Sequence, residues 1–168
     1  MTDRTLVLLR HAQAEPETSL GDAQRTLSAH GRRQASALGP VLAEELGHVD
    51  VALVSSALRT TETYKLLAAS WPGAPEPDVR EELYAAGPRD VLALLAEVPP
   101  EVERVLVVGH EPTVSSLADL LDGERGPLAE MLFLGISTAN AAVLEVPVAW
   151  ADLGRSTARL VRILRPEL

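Results

Sequence analysis

The stretch "TLVLLRHAQAE", residues 5–15, decides the fold of this chain and raises the question of its function. Residues 5–9 form a continuous apolar run, which is typical of a β-strand that is covered on both faces. Arg10 and His11 follow directly at the exit of this strand. Because the packing of a strand requires neither side chain, the pair predicts a functional site at the end of the strand.

The composition is that of a globular protein. The chain has 168 residues, 46% of them hydrophobic and 23% charged, and we expect one domain over residues 1–168. The absence of cysteine excludes a disulfide framework, a thiol nucleophile and a thiolate metal site. A net charge of −9 favours neither nucleic acid nor an anionic membrane as a partner. No apolar stretch approaches the roughly 20 residues that span a bilayer, and no signal peptide is recognisable, so we expect a cytoplasmic protein.

The chain alternates between strand and helix patterns. Ser28 is positioned to cap a helix over residues 29–46 that ends at Gly47, and Pro40 predicts either a kink or a later start. Further strands are predicted at 49–56, 79–83, 104–110, 139–146 and 158–165, and further helices at 58–70, 87–98 and 113–121. This order predicts a three-layer α/β sandwich whose central sheet is mainly parallel and flanked by helices.

Polar residues follow each of the strong strands. Arg10 and His11 follow the first strand, Ser55 ends the second, Arg59 lies in the first turn of the next helix, and His110 ends the third strand. Since parallel strands end at one edge of their sheet, where such folds bind ligands, we expect these residues to converge. A lone histidine is more often structural than catalytic, but four such groups at strand exits rarely arise by accident.

These residue types together suit the transfer of a phosphoryl group. Arginines bind phosphate through paired charge-assisted hydrogen bonds, and a neutral imidazole can attack phosphorus to form a covalent phosphohistidine. A second, protonated imidazole would stabilise the charge that develops on the phosphoryl oxygens. No cluster of metal-ligand type accompanies the histidines, so we expect neither a metal nor another cofactor.

Three motifs resemble those of the histidine phosphatase superfamily, which has the phosphoglycerate mutase-like fold. "LLRHAQAE" resembles its Arg-His-Gly motif, "SSALRTTET" its strand-exit serine and phosphate-binding arginine, and "VLVVGHEPTV" its second histidine motif. The resemblance implies that His11 is the phosphorylated nucleophile and that Arg10, Arg59 and His110 complete the phosphate pocket. Ala12 replaces the glycine of the motif, which costs little unless the backbone there needs a positive φ.

Two features are similar to the small SixA-type phosphohistidine phosphatases within this superfamily. "AQRTLSAHGRRQA" is similar to a segment of that group, which implies that Arg25 contacts phosphate or substrate, although a solvated loop arginine is an equal alternative. The short segment between Arg59 and His110 leaves no room for a cap over the pocket. An open pocket suits a phosphorylated side chain on a protein.

The sequence offers more than one candidate for the general acid. "REELYAAG" places Glu82 near the end of the short third strand, where similar phosphomonoesterases carry an acid that protonates the leaving alkoxide. Glu82 is therefore either a catalytic acid or a polar residue at the rim, with Glu81 the weaker candidate. We interpret His30 and His48 as surface residues.

The leading hypothesis is a metal-independent phosphatase that removes phosphate from phosphohistidine in a signalling or phosphotransfer protein. A phosphatase of sugar phosphates or nucleotides is an alternative within the same class. A mutase is disfavoured, because returning the phosphoryl group needs a pocket that excludes water. A non-catalytic phosphate-binding module is a third alternative, although binding alone needs no nucleophile.

Overall fold

The computed structural model describes residues 3–168 and contains one six-stranded sheet in the order β3-β2-β4-β1-β5-β6. Its first four strands in sequence are mutually parallel, and β5 and β6 are antiparallel to their neighbours. The strands are β1 (Arg4–Arg10), β2 (Val51–Ser55), β3 (Pro77–Arg80), β4 (Arg104–Gly109), β5 (Ala141–Val146) and β6 (Arg159–Leu164). The predicted α/β fold with a mainly parallel sheet is confirmed.

The helices cover both faces of this sheet. They are α1 (Ala29–Leu46), α2 (Leu58–Ala68), α3 (Pro88–Ala96), α4 (Thr113–Leu121) and α5 (Pro127–Phe133). Alternate residues of β1 enter two separate cores: Val7 and Leu9 pack with α1 and α2, whereas Leu6 and Leu8 pack with α3 and α4. Burial of both faces explains why the sequence of β1 is apolar without interruption.

Helix α1 has the bounds that the sequence predicts. The side chain of Ser28 accepts a hydrogen bond from the backbone N–H of Gly31 at 2.9 Å, and Gly47 ends the helix with φ of 71°. The helix continues through Pro40, so a later start is wrong. Because Pro40 lacks an N–H, the carbonyl of Ser36 has no helical donor, and it accepts instead from the hydroxyl of Ser70 at 3.5 Å.

Two elements differ from the sequence prediction in a way that affects the site. The third strand ends at Arg80, and residues 81–83 form a 3₁₀ turn in place of further strand. Helix α5 was not predicted; it begins at Pro127 and leads to the segment that precedes β5. No helix within residues 3–168 combines the length and the hydrophobicity of a membrane span.

Candidate active site

The two motif histidines meet because their strands are neighbours. Strands β1 and β4 pair in parallel with Arg10 opposite Gly109, and the N–H of His11 donates to the carbonyl of Gly109 at 3.1 Å. The imidazole rings of His11 and His110 lie 5.4 Å apart between their centroids. The convergence that the sequence predicts at the sheet edge is therefore present.

His11 is held in one tautomer by its own loop. Its Nδ1 lies 2.7 Å from the carbonyl oxygen of Ala12, and since a carbonyl only accepts, Nδ1 carries the proton and Nε2 the lone pair. Burial lowers the pKa of His11 to about 4; the Ala12 carbonyl opposes this shift, and the charges of Arg59 and Arg10 add to it. The imidazole is therefore neutral and nucleophilic at neutral pH.

The loop after His11 is anchored to α2 through Ala12. The N–H of Ala12 donates to the hydroxyl of Thr63 at 3.0 Å, and that hydroxyl donates to the carbonyl of Arg59 at 2.6 Å. Ala12 is fully buried and is not among the residues with positive φ, so its backbone conformation does not require glycine. The departure from the family motif is thus compatible with the same loop.

His110 is bonded on both ring nitrogens. Nη2 of Arg59 donates to Nδ1 at 3.3 Å, because arginine can only donate. Nε2–H therefore donates to the hydroxyl of Ser55 at 2.7 Å, which gives Ser55 a role in orienting the ring. Burial, followed by the charge of Arg59 and by His11, lowers the pKa of His110 to about 4, so these contacts favour the neutral form. The protonated imidazole that the sequence suggested would need the negative charge of a phosphoryl group beside it.

The two motif arginines keep donors free for an anion. Nη1 of Arg10 donates to the carbonyl of Ile136 at 2.8 Å, and Nη1 of Arg59 donates to the carbonyl of Asp22 at 2.9 Å. The Nε atoms of both arginines are buried and have no hydrogen-bond partner within residues 3–168. A buried donor without an acceptor is costly, and Nε of Arg4, outside the pocket, is in the same state. At the site, a phosphoryl oxygen that reached Nε of Arg10 or Arg59 would remove this cost.

Two residues of the site were not recognised in the sequence. Asp22 lies in the loop between β1 and α1, and its Oδ2 accepts from Nη2 of Arg59 at 3.1 Å and from the hydroxyl of Tyr84. The edge of the Tyr84 ring faces His110, with 5.8 Å between centroids. The hydrogen bond from Tyr84 lowers the pKa of Asp22 to about 2, and Arg25 and Arg59 contribute in the same direction. A carboxylate at neutral pH thus lies beside the phosphate-binding arginine.

Neither Arg25 nor Glu82 lies among the residues at the centre of the pocket. Arg25 reaches the site through Asp22, because its Nη1 bonds Oδ1 of Asp22 at 3.2 Å and its Nε bonds the carbonyl of Glu15. The side chain of Glu82 is 58% exposed and pairs with Nε of Arg80 at 3.0 Å. The 3₁₀ turn directs Tyr84, and not Glu82, to the pocket; the role of Glu82 as an acid stays a prediction that Glu82→Gln would test.

The groups that surround the pocket are imidazoles and guanidinium groups. Within the part of the chain that the structure describes, no group of three or more His, Asp or Glu side chains could hold a metal ion. His30 and His48 are exposed. The site combines a neutral imidazole with a free lone pair, a second imidazole, and two arginines with available donors.

The buried His11 and the half-buried His110 predict an acid-sensitive fold. Their pKa values of about 4 lie below the 6.5 of an unfolded histidine, so the unfolded state binds more protons between these values. The free energy of unfolding should therefore fall as the pH drops from 6.5 to 4, by up to about 3 kcal/mol for each histidine. Asp22, with a pKa of about 2, loses its stabilising contribution only at lower pH.

Urea denaturation at several pH values between 4 and 7 checks this prediction. His11→Asn, which removes one titrating ring, should reduce the dependence on pH by about half. An unfolding free energy that is constant over this range would contradict the neutral state of both rings at neutral pH.

Comparison with known proteins agrees with this geometry. The family model of the histidine phosphatase superfamily (branch 1) matches residues 6–85. The uncharacterized protein Rv1276c of Mycobacterium tuberculosis is 36% identical over 156 residues, which cover 91% of this chain and 96% of the relative.

Solved structures extend the similarity over the whole fold. A protein of Nakamurella multipartitia, provisionally assigned as phosphohistidine phosphatase SixA, is 34% identical with a TM-score of 0.85, covering 99% of this chain and 98% of its own. A protein of Agrobacterium tumefaciens with the same provisional assignment is 28% identical with a TM-score of 0.82, covering 99% of this chain and 100% of its own. The motifs, the phosphoglycerate mutase-like fold and these relatives lead to one conclusion: the chain is a phosphatase that belongs to the histidine phosphatase superfamily.

Proposed function

We propose that this phosphatase removes phosphate from phosphohistidine on a protein, through a covalent phosphohistidine on His11 and without a metal. The observation that carries the proposal is the state of His11: its Nδ1–H is bonded to the carbonyl of Ala12, and its Nε2 lone pair is free beside two arginines with unpaired Nε–H groups. A nucleophile in this state needs no base to activate it.

The first step transfers the phosphoryl group between two imidazoles. Nε2 of His11 attacks phosphorus while the bond from phosphorus to the substrate nitrogen breaks, and its electron pair stays on the leaving imidazole. The phosphoenzyme then carries phosphorus on Nε2 and a proton on Nδ1, held by Ala12. In the second step water attacks phosphorus, the bond from phosphorus to Nε2 breaks, and its electron pair returns to Nε2, so His11 leaves as a neutral imidazole once more. The protons of the water leave with the inorganic phosphate, which departs as H₂PO₄⁻. Arg10, Arg59 and His110 would hold the phosphoryl oxygens throughout.

The proton donors around the site favour phosphohistidine over a phosphate ester. An alkoxide leaving group is strongly basic and needs a general acid, whereas an imidazole, with a pKa of about 6.5, leaves readily. Asp22 is ionised, the hydroxyl of Tyr84 donates to Asp22, and the carboxylate of Glu82 pairs with Arg80. None of these groups is placed as a free acid beside the pocket.

An open pocket supports a protein substrate. Between α2 and α3 the chain forms only the short strand β3 and the turn at 81–83, so this segment inserts no additional α-helix that could cover the site. The relatives provisionally assigned as SixA support the same substrate class. We infer a phosphorylated protein of the cytoplasm as the partner, and the net charge of −9 does not favour nucleic acid.

Turnover on three substrate classes tests the proposal. A phosphohistidine protein is expected to give a higher kcat/KM than para-nitrophenyl phosphate or a panel of sugar phosphates, and excess EDTA is expected to leave the rate unchanged. Preferential turnover of one sugar phosphate or nucleotide would replace the proposal with a small-molecule phosphatase. Loss of activity in EDTA that Mg²⁺ or Zn²⁺ restores would contradict the metal-independent mechanism.

A further inference from the structure

We propose that Asp22 sets the specificity of this site for phosphohistidine, by accepting a hydrogen bond from the distal ring nitrogen of the leaving imidazole. Tyr84 is its positioning residue. This inference rests on the proposed function. It assigns a role to Asp22 and Tyr84, neither of which belongs to the motifs that identify the family.

The contacts of Asp22 hold a carboxylate beside an arginine of the phosphate pocket. Its backbone carbonyl and Oδ2 accept from the two terminal nitrogens of Arg59, its Oδ1 accepts from Arg25, and Oδ2 also accepts from the hydroxyl of Tyr84. Within residues 3–168, Asp22 is the carboxylate that bonds a motif arginine. A negative charge here competes with the phosphoryl group for Arg59, so it weakens the binding of any phosphate that gains nothing from it.

A phosphohistidine substrate does gain from the charge of Asp22, because of how the phosphoryl group is transferred. In the attack on phosphorus the two imidazoles are equivalent: each bears phosphorus on one nitrogen and can bear a proton on the other. In His11 the proton is on Nδ1, which donates a hydrogen bond to the carbonyl of Ala12. The substrate imidazole needs a corresponding acceptor, because a proton on its distal nitrogen lets it leave as a neutral ring. Asp22 is an acceptor of this kind, with a full negative charge.

Burial places the two acceptors at different depths of the pocket. His11 is 9% exposed at the end of β1, whereas the side chain of Asp22 is 39% exposed in the loop between β1 and α1. A substrate side chain reaches the phosphoryl group from solvent, so its ring passes the exposed carboxylate and not the buried carbonyl. The same charge would repel the developing alkoxide of an ester, which separates the two substrate classes.

The hydroxyl of Tyr84 fixes the carboxylate in this place. It donates to Oδ2 of Asp22, while the ring edge contacts His110 and the ring lies 6.0 Å from the guanidinium carbon of Arg59. Tyr84 thus touches the two groups that surround the phosphate pocket and the acceptor itself. Removing the hydroxyl alone should loosen Asp22 without removing its charge.

Asp22→Asn is the decisive variant, because asparagine keeps the shape and the acceptor oxygen for Arg59 but lacks the charge. We expect kcat/KM on a phosphohistidine protein to fall about 10- to 100-fold, the worth of a charge-assisted hydrogen bond. With para-nitrophenyl phosphate we expect KM to fall, since an anion beside Arg59 is removed. Asp119→Asn is the matched control, because Asp119 also pairs with an arginine, Arg125, but outside the pocket; it should match the wild type on both substrates.

The dependence on pH separates a specificity role from a structural one. The charged and titratable groups that face Asp22 are Arg25, Arg59, Tyr84 and His110. Only the phosphohistidine substrate brings a further titrating ring to them. In Asp22→Asn, the alkaline decline of kcat/KM on phosphohistidine should therefore move to lower pH. The expected shift is about one pH unit if the lost hydrogen bond favours the protonated ring by a factor of ten. No corresponding shift is expected with the ester.

The outcomes distinguish this inference from the proposed function. If the wild type does not turn over phosphohistidine, the proposed function fails. If the wild type does turn over phosphohistidine, two results for Asp22→Asn overturn the inference. One is an equal loss of kcat/KM on both substrates without a shift in the pH profile, which would mean that Asp22 only orients Arg59. The other is an unchanged rate on phosphohistidine. Should Asp22→Asn not fold, Tyr84→Phe decides: a loss of about 2- to 10-fold confined to phosphohistidine supports the inference, and an equal loss on both substrates contradicts it.

Discussion

Replacing His11 with alanine is expected to lower turnover by at least about 10⁴-fold on every substrate, because the variant lacks the atom that bonds to phosphorus. The remaining arginines and His110 would still bind phosphate, so KM should change far less than kcat. The wild-type protein, quenched during turnover at neutral or alkaline pH, should show about 80 Da of added mass on His11, and the variant should show none.

His48→Ala is the matched control for this change, because it removes an exposed histidine that pairs with Asp50 outside the pocket. It should keep the turnover and the phosphoenzyme of the wild type. Near-normal turnover in His11→Ala, or a phosphoryl group found on His110, would contradict the mechanism and move the nucleophile to another residue.

Arg59→Ala is expected to remove both phosphate binding and the anchor of Asp22. One guanidinium contacts Asp22 and His110 and keeps Nε free for an anion, so kcat/KM should fall by about 10³-fold. Vanadate, tungstate or phosphate at 100 times its Kd should stabilise the wild type by about 2.7 kcal/mol, which thermal denaturation detects as a higher Tm. The variant should show little of this shift.

Arg59→Lys tests whether charge alone is sufficient. A lysine keeps the charge but lacks the planar set of donors, so it should recover only a small part of the lost activity. Arg32→Ala, which removes an exposed arginine that pairs with Glu62, should respond to oxyanions as the wild type does. A full oxyanion response in Arg59→Ala would show that the phosphate site lies elsewhere.

Much of this fold can be predicted from the sequence, because local patterns decide it. The apolar run before Arg10, the Ser28 cap and Gly47 each act within a few residues, and the observed β1 and α1 agree with them. Motif residues at strand exits converge for the same reason, since parallel neighbours end at one edge. The prediction that His11, Arg59 and His110 form one site needed only the expectation that their strands are parallel.

Local patterns along the chain thus predict the strands, the apolar faces of the sheet and the residues at the ends of its strands. What surrounds those residues depends on tertiary packing. A strand pattern through residue 83 predicted that Glu82 lies at the site. In the structure a 3₁₀ turn follows Arg80, and its side chains repeat every three residues instead of every two. Tyr84 faces the pocket as a result. Asp22 meets Tyr84 from 62 residues away, through a loop without periodicity. Contacts between distant loops depend on how the helices pack on the sheet, and no local pattern records that packing.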